Sequence, residues 1–176
     1  LITFMDKKKI ILKVALELFS ERGYAATSTR MISKQAAVSE GLIFRHYQNK
    51  DGLLKALYAE GISKIEELYE PMLKLKHPKV FLKQVLSIPF LIKEDNFPIW
   101  RFFYNQQWYD PQLYRLTTKL LSDRVCDSFR LLDYKDPKTE TETFFVLLEG
   151  IISSVLLTNY NLTFAVVENV IRKFDL

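Results

Sequence analysis

An all-α fold is what this chain of 176 residues predicts. Apolar residues recur every three to four positions through long stretches, the period of a helix with one buried face. Glycine and proline are scarce, at five and six residues. Ser, Thr and Pro stand where periodic stretches begin, as N-cap and first-turn residues do. The architecture expected is a small three-helix module containing a helix-turn-helix, followed by a larger helical bundle, about nine helices in all.

The first helix is expected over Asp6–Arg22, where Ile11, Val14, Ala15, Leu18 and Phe19 form one apolar stripe and Lys7, Lys8, Lys9 and Lys13 crowd the opposite side. Gly23 stops it as a C′ glycine would, and Tyr24 reads as a packing anchor. Thr27 and Ser28 cap a second helix to about Ala37, with Ile32 and Ala36 inward. Val38 fills a turn, and Ser39 caps a third helix, Glu40 to about Tyr47, with Leu42 or Ile43 inward. Two short helices separated by three or four residues have the spacing of a helix-turn-helix, which needs a further helix to complete its core. The fourth helix is expected from Asn49–Asp51 to Leu68 or Tyr69, ending before Pro71. Within it Gly61 is a close-packing contact, a bend, or merely tolerated, and packing is favoured. The polar connector Lys74–Lys79 leads to a fifth helix, Pro78–Lys93, bent near Pro89. The sixth is expected over Phe97–Trp108, the seventh over Pro111–Asp133, the eighth over Glu140–Tyr160 and the ninth over Leu162–Phe174.

The chain is long enough to bury roughly 70% of its unfolded surface, so it needs no disulfide or metal staple. The lone Cys126 cannot form an intrachain bridge, which suits a reducing compartment. The start has its charges after its apolar residues, unlike a secretory leader. The longest apolar run, Phe144–Leu157, is interrupted and short of the ~20 residues that span a bilayer. A cytoplasmic protein without a membrane segment is expected. Residues 1–58 hold ten Lys/Arg against five Asp/Glu, whereas residues 59–176 hold fifteen against sixteen. The basic excess of the first third suggests a polyanion-binding face, although charge alone equally allows a solvated basic surface. With two histidines, one cysteine, no Gly-rich phosphate loop and no cluster at metal-ligand spacing, catalysis has little support. No enzyme activity, cofactor or metal site is expected.

The stretch ILKVALELFSERGYAATSTRMISKQAAVSEGLIFRHYQNKDGLL is where the reading becomes specific. Through Ile11-Leu12, Ala15, Leu18-Phe19, Gly23-Tyr24, Thr27-Ser28, Ile32, Ala36, Val38-Ser39, Gly41, Tyr47, Lys50 and Leu53 it resembles the N-terminal domain of the tetracycline-repressor (TetR) family of bacterial transcription regulators. That resemblance implies a third helix lying in the major groove of double-stranded DNA. Carried over, it implies phosphate contacts for Thr27, Ser28 and Thr29 at a helix N-terminus, and a phosphate or guanine contact for Arg30. It implies base approach by Ser39, Glu40, Gly41 and Leu42, backbone contacts by Phe44, Arg45 and His46, and a phosphate contact by Lys50. Three positions depart from the family pattern. Its usual turn glycine is Ala37, at a cost of roughly 1–2 kcal/mol if that residue is left-handed. Its usual tyrosine is Phe44. Glu40 stands where a basic residue is common, so it reads a cytosine amino group or weakens binding.

In the bundle, the eighth helix is apolar nearly all round and the ninth carries a stripe, so this pair needs a second cover. Burial within the monomer is one reading. The other is a homodimer through Phe145, Leu148, Ile152, Val155, Leu156, Val167, Val170, Ile171 and Phe174, which the family resemblance also implies. Such a two-fold dimer would set its recognition helices about 34–36 Å apart, matching a palindromic operator. Between Phe97 and Tyr114, eight of eighteen residues are aromatic, more than one helix face can bury. The resemblance places a cavity for a small apolar or amphipathic effector there, with Trp100, Phe103, Tyr104, Gln107, Trp108 and Tyr114 as candidates. The expectation is a ligand-responsive homodimeric regulator with residues 6–52 binding DNA and residues 53–176 binding ligand and partner, acting as a repressor. Its rivals are a helical carrier or enzyme with a vestigial DNA-binding module, and a regulator answering to a protein partner.

Overall fold

The computed structural model describes residues 4–106, 110–157 and 164–176. They form ten α-helices and one short 3₁₀ turn, with no strand among the described residues: α1 Phe4–Arg22, α2 Thr29–Gln35, α3 Glu40–Tyr47, α4 Lys50–Leu73, α5 Pro78–Leu86, α6 Ile88–Leu91, α7 Phe97–Gln106, α8 Pro111–Leu131, α9 Pro137–Leu157 and α10 Phe164–Lys173, the 3₁₀ turn being Glu94–Asn96. No described helix is long and apolar enough to cross a membrane.

Two compact units emerge, one of Leu1–Ser63 with Pro98–Asn105 and one of Lys64–Phe97 with Gln106–Leu176. In the first, α1 buries Ile11, Val14, Ala15, Leu18 and Phe19, the stripe legible in its period, and α2 and α3 add Ile32, Ala36, Ile43 and Tyr47. Leu53 and Leu57 of α4 and Ile99, Phe102 and Phe103 of α7 are buried as well. Phe102 stacks on Phe19 with ring centroids 6.5 Å apart. Phe103 meets Tyr58 edge-on at 5.7 Å. A β-carbon added to Gly61 would lie 1.9 Å from Cε2 of Phe103, so Gly61 is a packing contact, the favoured expectation.

The second unit closes around Phe81, Leu82 and Val85 of α5, Val125 and Phe129 of α8, Phe144 and Leu148 of α9, Val167 of α10, and Phe174 just past the end of α10. Phe129, Phe144 and Phe174 form an aromatic triangle with centroids 5.5–5.7 Å apart. Such aromatic pairs add about 0.5–1.5 kcal/mol each beyond the area they bury. The Arg124 guanidinium lies 5.4 Å from the Phe81 ring centroid and donates to the Leu75 carbonyl at 3.0 Å, fixing the turn after α4.

Several boundaries differ from expectation. α4 runs through Pro71 to Leu73. Only two residues follow the proline, and the face is exposed at Glu67 and Pro71, so water can satisfy the carbonyl that loses its N–H partner. The expected fifth helix is two, α5 and α6, which raises the total from about nine to ten. Pro89 has no N–H to offer the Val85 carbonyl four residues back, and where α5 ends the Ser87 N–H and hydroxyl both donate to the Lys83 carbonyl, at 3.2 and 2.9 Å. α8 ends at Leu131, two residues early, with Asp133 left-handed beyond it (φ 59°). α9 starts three residues earlier than expected, at Pro137, because Asp136 caps it by accepting from the Thr139 N–H at 3.1 Å and hydroxyl at 2.6 Å. Those bonds, the side-chain one foremost, hold the Asp136 carboxyl below its usual range. The expected ends at Trp108 and Tyr160 and the start at Leu162 lie outside the described residues.

Candidate nucleic-acid interface

Each short helix of the N-terminal unit is started by a serine. Ser28 Oγ accepts from the Met31 N–H at 3.2 Å, and Ser39 Oγ accepts from the Leu42 N–H at 3.3 Å. Each cap satisfies one otherwise orphaned donor and stabilises its helix by about 1 kcal/mol. Between them the chain reverses at Ala37, which is left-handed at φ 52°. α2 packs on α1 and α3 packs on α2. The outcome is a helix-turn-helix braced by a third helix.

The packing sorts the candidate residues. Ile32 and Ile43 are fully buried. Ser28, Arg30, Ser39, Gly41, Phe44 and Arg45 are exposed, while Thr29, Glu40, Leu42, His46 and Lys50 are half-buried. Phe44 is 48% exposed, a large aromatic ring left open to solvent on α3. Ile43, rather than Leu42, is the inward anchor of that helix.

Thr27 is not on this surface. It is 2% exposed, and its hydroxyl donates to the carbonyls of Gly23 at 2.9 Å and Leu18 at 3.2 Å. It ties the end of α1 to the start of α2 from within. Lys50 is also committed internally. Its ammonium donates to the Tyr24 and Thr27 carbonyls, both at 2.9 Å, and stands 4.2 Å from the Tyr24 ring centroid. Bonds from a charged donor contribute about 1.5–3 kcal/mol each. Lys50 therefore clamps the segment that delivers α2, with one of its three donors remaining.

Two tyrosines complete the brace. The Tyr24 hydroxyl donates to Asp51, and burial, followed by that carboxylate, pushes its phenol up to about 12. The Tyr47 hydroxyl donates to the Lys8 carbonyl at 2.8 Å, joining α3 to α1, and burial followed by Glu60 holds its phenol up at about 12. Tyr24 was legible only as a packing anchor, since its hydrogen bond depends on a residue 27 positions on. Glu40 and Thr29 meet at the start of α3 and α2: the Thr29 hydroxyl donates to Glu40 Oε1 at 2.5 Å.

The other candidate sets fall elsewhere. Trp100 and Tyr104 are half-buried and Phe103 is buried, all three within the N-terminal unit. Gln107 and Trp108 lie outside the described residues, as does the side chain of Tyr114. Of the dimer candidates, Leu148, Leu156, Val167, Val170 and Phe174 are buried within the single chain, and Phe145, Ile152, Val155 and Ile171 are half-buried. Periodicity did not single out Val146, 71% exposed on α9, or Leu157 and Val166 at 46% and 41%.

A braced helix-turn-helix with exposed Arg30 and Arg45, on an all-helical chain, defines the class of helix-turn-helix proteins. The comparisons narrow it. Residues 11–57 match the family model described as bacterial regulatory proteins, tetR family. The HTH-type transcriptional regulator YvkB of Bacillus subtilis is 46% identical over 55 residues, 31% of this chain and 29% of that protein. An HTH-type transcriptional repressor of Mycobacterium tuberculosis is 51% identical over 47 residues, 27% of this chain and 25% of that protein. Both matches thus span less than a third of the relative's length. Solved structures align over nearly the whole chain. A transcriptional regulator from Aquifex aeolicus has a TM-score of 0.66 at 20% identity, covering 96% of each chain. AibR, solved in complex with isovaleryl coenzyme A and operator DNA, has a TM-score of 0.72 at 17% identity, covering 95% of this chain and 97% of its own. At those identities the likeness establishes the fold. Residues 11–57 thus carry the N-terminal domain described by the tetR family model.

Proposed function

We propose that this chain is a homodimeric transcriptional repressor that binds a palindromic operator and leaves it when a small apolar or amphipathic effector binds. The observation that carries the reading is the α2–α3 motif, with both helices serine-capped, a left-handed reversal at Ala37 and Arg30, Phe44 and Arg45 exposed. Recognition helices of this kind place their first residues against base edges, while the preceding helix crosses the phosphate backbone. Ser28, Thr29, Arg30, Ser39, Glu40, Gly41, Leu42, Phe44, Arg45 and His46 form the contact set, with Thr27 and Lys50 holding it in shape. A repressor role is supported by the relative named as one, and an effector by AibR and its isovaleryl coenzyme A. The reading is non-enzymatic, and no cofactor is assigned.

The partner in the dimer is a second copy seated on α9. Val146, Gly150 and Leu157 lie along one exposed line of that helix, and a β-carbon added to Gly150 would meet nothing within 4 Å. A small residue between two exposed apolar ones admits close approach of another helix, and an open apolar line of this kind marks an interface. An effector acts only insofar as it binds the DNA-competent and DNA-incompetent arrangements with different affinity. The division of labour proposed is residues 6–52 for DNA and residues 53–176 for ligand and partner.

Selection of bound duplexes from random DNA tests this reading. The expected product is an inverted repeat whose half-sites are centred about one helical turn apart. A lone half-site, or no enriched sequence, would remove the dimeric operator from the proposal.

A further inference from the structure

Glu40 is the only acidic side chain in the candidate DNA-contacting set, and it occupies the first position of α3. Thr29, at the first position of α2, donates its hydroxyl to Glu40 Oε1 at 2.5 Å. A hydroxyl–carboxylate bond of that length is charge-assisted and among the stronger neutral-to-ion contacts. It joins the first turns of the two helices and removes rotamer freedom from a side chain that is otherwise half-exposed. A carboxylate only accepts, and it has lone pairs on both oxygens, so one hydroxyl leaves most of its capacity unfilled.

Resting on the DNA-binding reading above, we propose that Glu40, oriented by Thr29, selects a cytosine in the major groove by accepting from its N4 amino group. The chemistry of the groove dictates that choice. Guanine presents two acceptors there and thymine an acceptor beside a methyl group, so a carboxylate is repelled by the first and unpaired against the second. Adenine offers an amino donor but sets the N7 acceptor next to it. Cytosine offers a donor with no acceptor on its own exposed edge. Thr29 is a positioning residue in this scheme. Its hydroxyl holds the carboxylate in place before DNA arrives, which lowers the ordering cost of binding.

The test uses the full chain and the duplex it selects, with every position of a half-site changed to each other base. One position is expected to require cytosine, with binding weakened at least about tenfold by any replacement. Glu40→Gln should move that position from cytosine to adenine, because an amide pairs with the adenine N6 and N7 edge, and leave all other positions unchanged. Glu40→Ala should remove the preference there. Thr29→Val should keep cytosine preferred but shrink the discrimination to a few-fold. The proposal is overturned if Glu40→Gln binds the duplex with every base preference intact. It is equally overturned if Glu40→Gln tightens binding uniformly across sequences, which would make Glu40 a general repulsive charge. A wild-type chain that selects no duplex overturns the DNA-binding reading along with it, and is recognised because no variant then binds either.

Discussion

At Ala37 a side chain with a β-carbon sits in the left-handed region, φ 52°, where glycine is usual. That conformation costs a non-glycine residue about 1–2 kcal/mol. Ala37→Gly relieves the strain and returns part of the gain as unfolded-state entropy, so urea unfolding should show it more stable by about 1 kcal/mol. Lys50 supplies a second prediction at this scale. Because its ammonium holds the Tyr24 and Thr27 carbonyls, Lys50→Met should lower stability by about 2 kcal/mol. DNA affinity should fall with it, while the slope of log K against log[salt] stays nearly constant. Loss of a true phosphate contact would instead flatten that slope by about 0.9 for each protomer that makes it. The tyrosines set a pH dependence. Tyr24 and Tyr47 titrate near 12 in the fold against 10.0 for an unperturbed phenol, so folding favours their protonated forms. Their contribution is complete below pH 10 and is lost as pH rises toward 12. The urea midpoint should fall across that window, and less steeply in Tyr24→Phe/Tyr47→Phe than in wild type.

Helix ends in the N-terminal unit were the most legible features, because capping is local chemistry written in one or two residues: Ser28 and Ser39 start α2 and α3, and the left-handed Gly23 follows the end of α1, where their sequence context places them. Asp136 escaped notice because the apolar period of α9 begins only at Phe144, while the capped first turn is polar. The break between α5 and α6 escaped for another reason. A proline bends or ends a helix according to how the surrounding chain accommodates the carbonyl it leaves without an N–H partner, which periodicity does not encode. Gly61 could be read as contact or hinge, and only the approach of Phe103 from 42 positions away decides it. Gly61→Ala should therefore destabilise by about 1–3 kcal/mol through overpacking. Combining it with Phe103→Leu should recover part of that loss, giving a double-mutant coupling of about 1 kcal/mol or more. Additive effects would show that the ring is not what Gly61 accommodates.

Over the whole molecule, helical class and the helix-turn-helix were readable because a 3.6-residue period and serine caps are short-range signals. The candidate interface was readable as a segment, yet not residue by residue. Thr27 and Lys50 carry DNA-contact chemistry but use it on backbone carbonyls of their own chain, a matter of tertiary geometry that spacing does not encode. The same holds for α9, where apolar residues all round concealed which line is left open. With Val146 71% exposed on that line, the proposed dimer should give way to monomer in Val146→Glu by sedimentation equilibrium, while helical content stays unchanged. Persistence of the dimer would move the partner to another face. The central claim, that α2 and α3 present a DNA-reading surface, is tested most directly by the salt dependence of binding to a selected duplex. A dimer making about six or more phosphate contacts should give log K falling with log[salt] at a slope of about −5 or steeper. Arg30→Ala/Arg45→Ala should flatten that slope. Affinity that is indifferent to salt, or absent for every duplex while the chain remains folded, would contradict it.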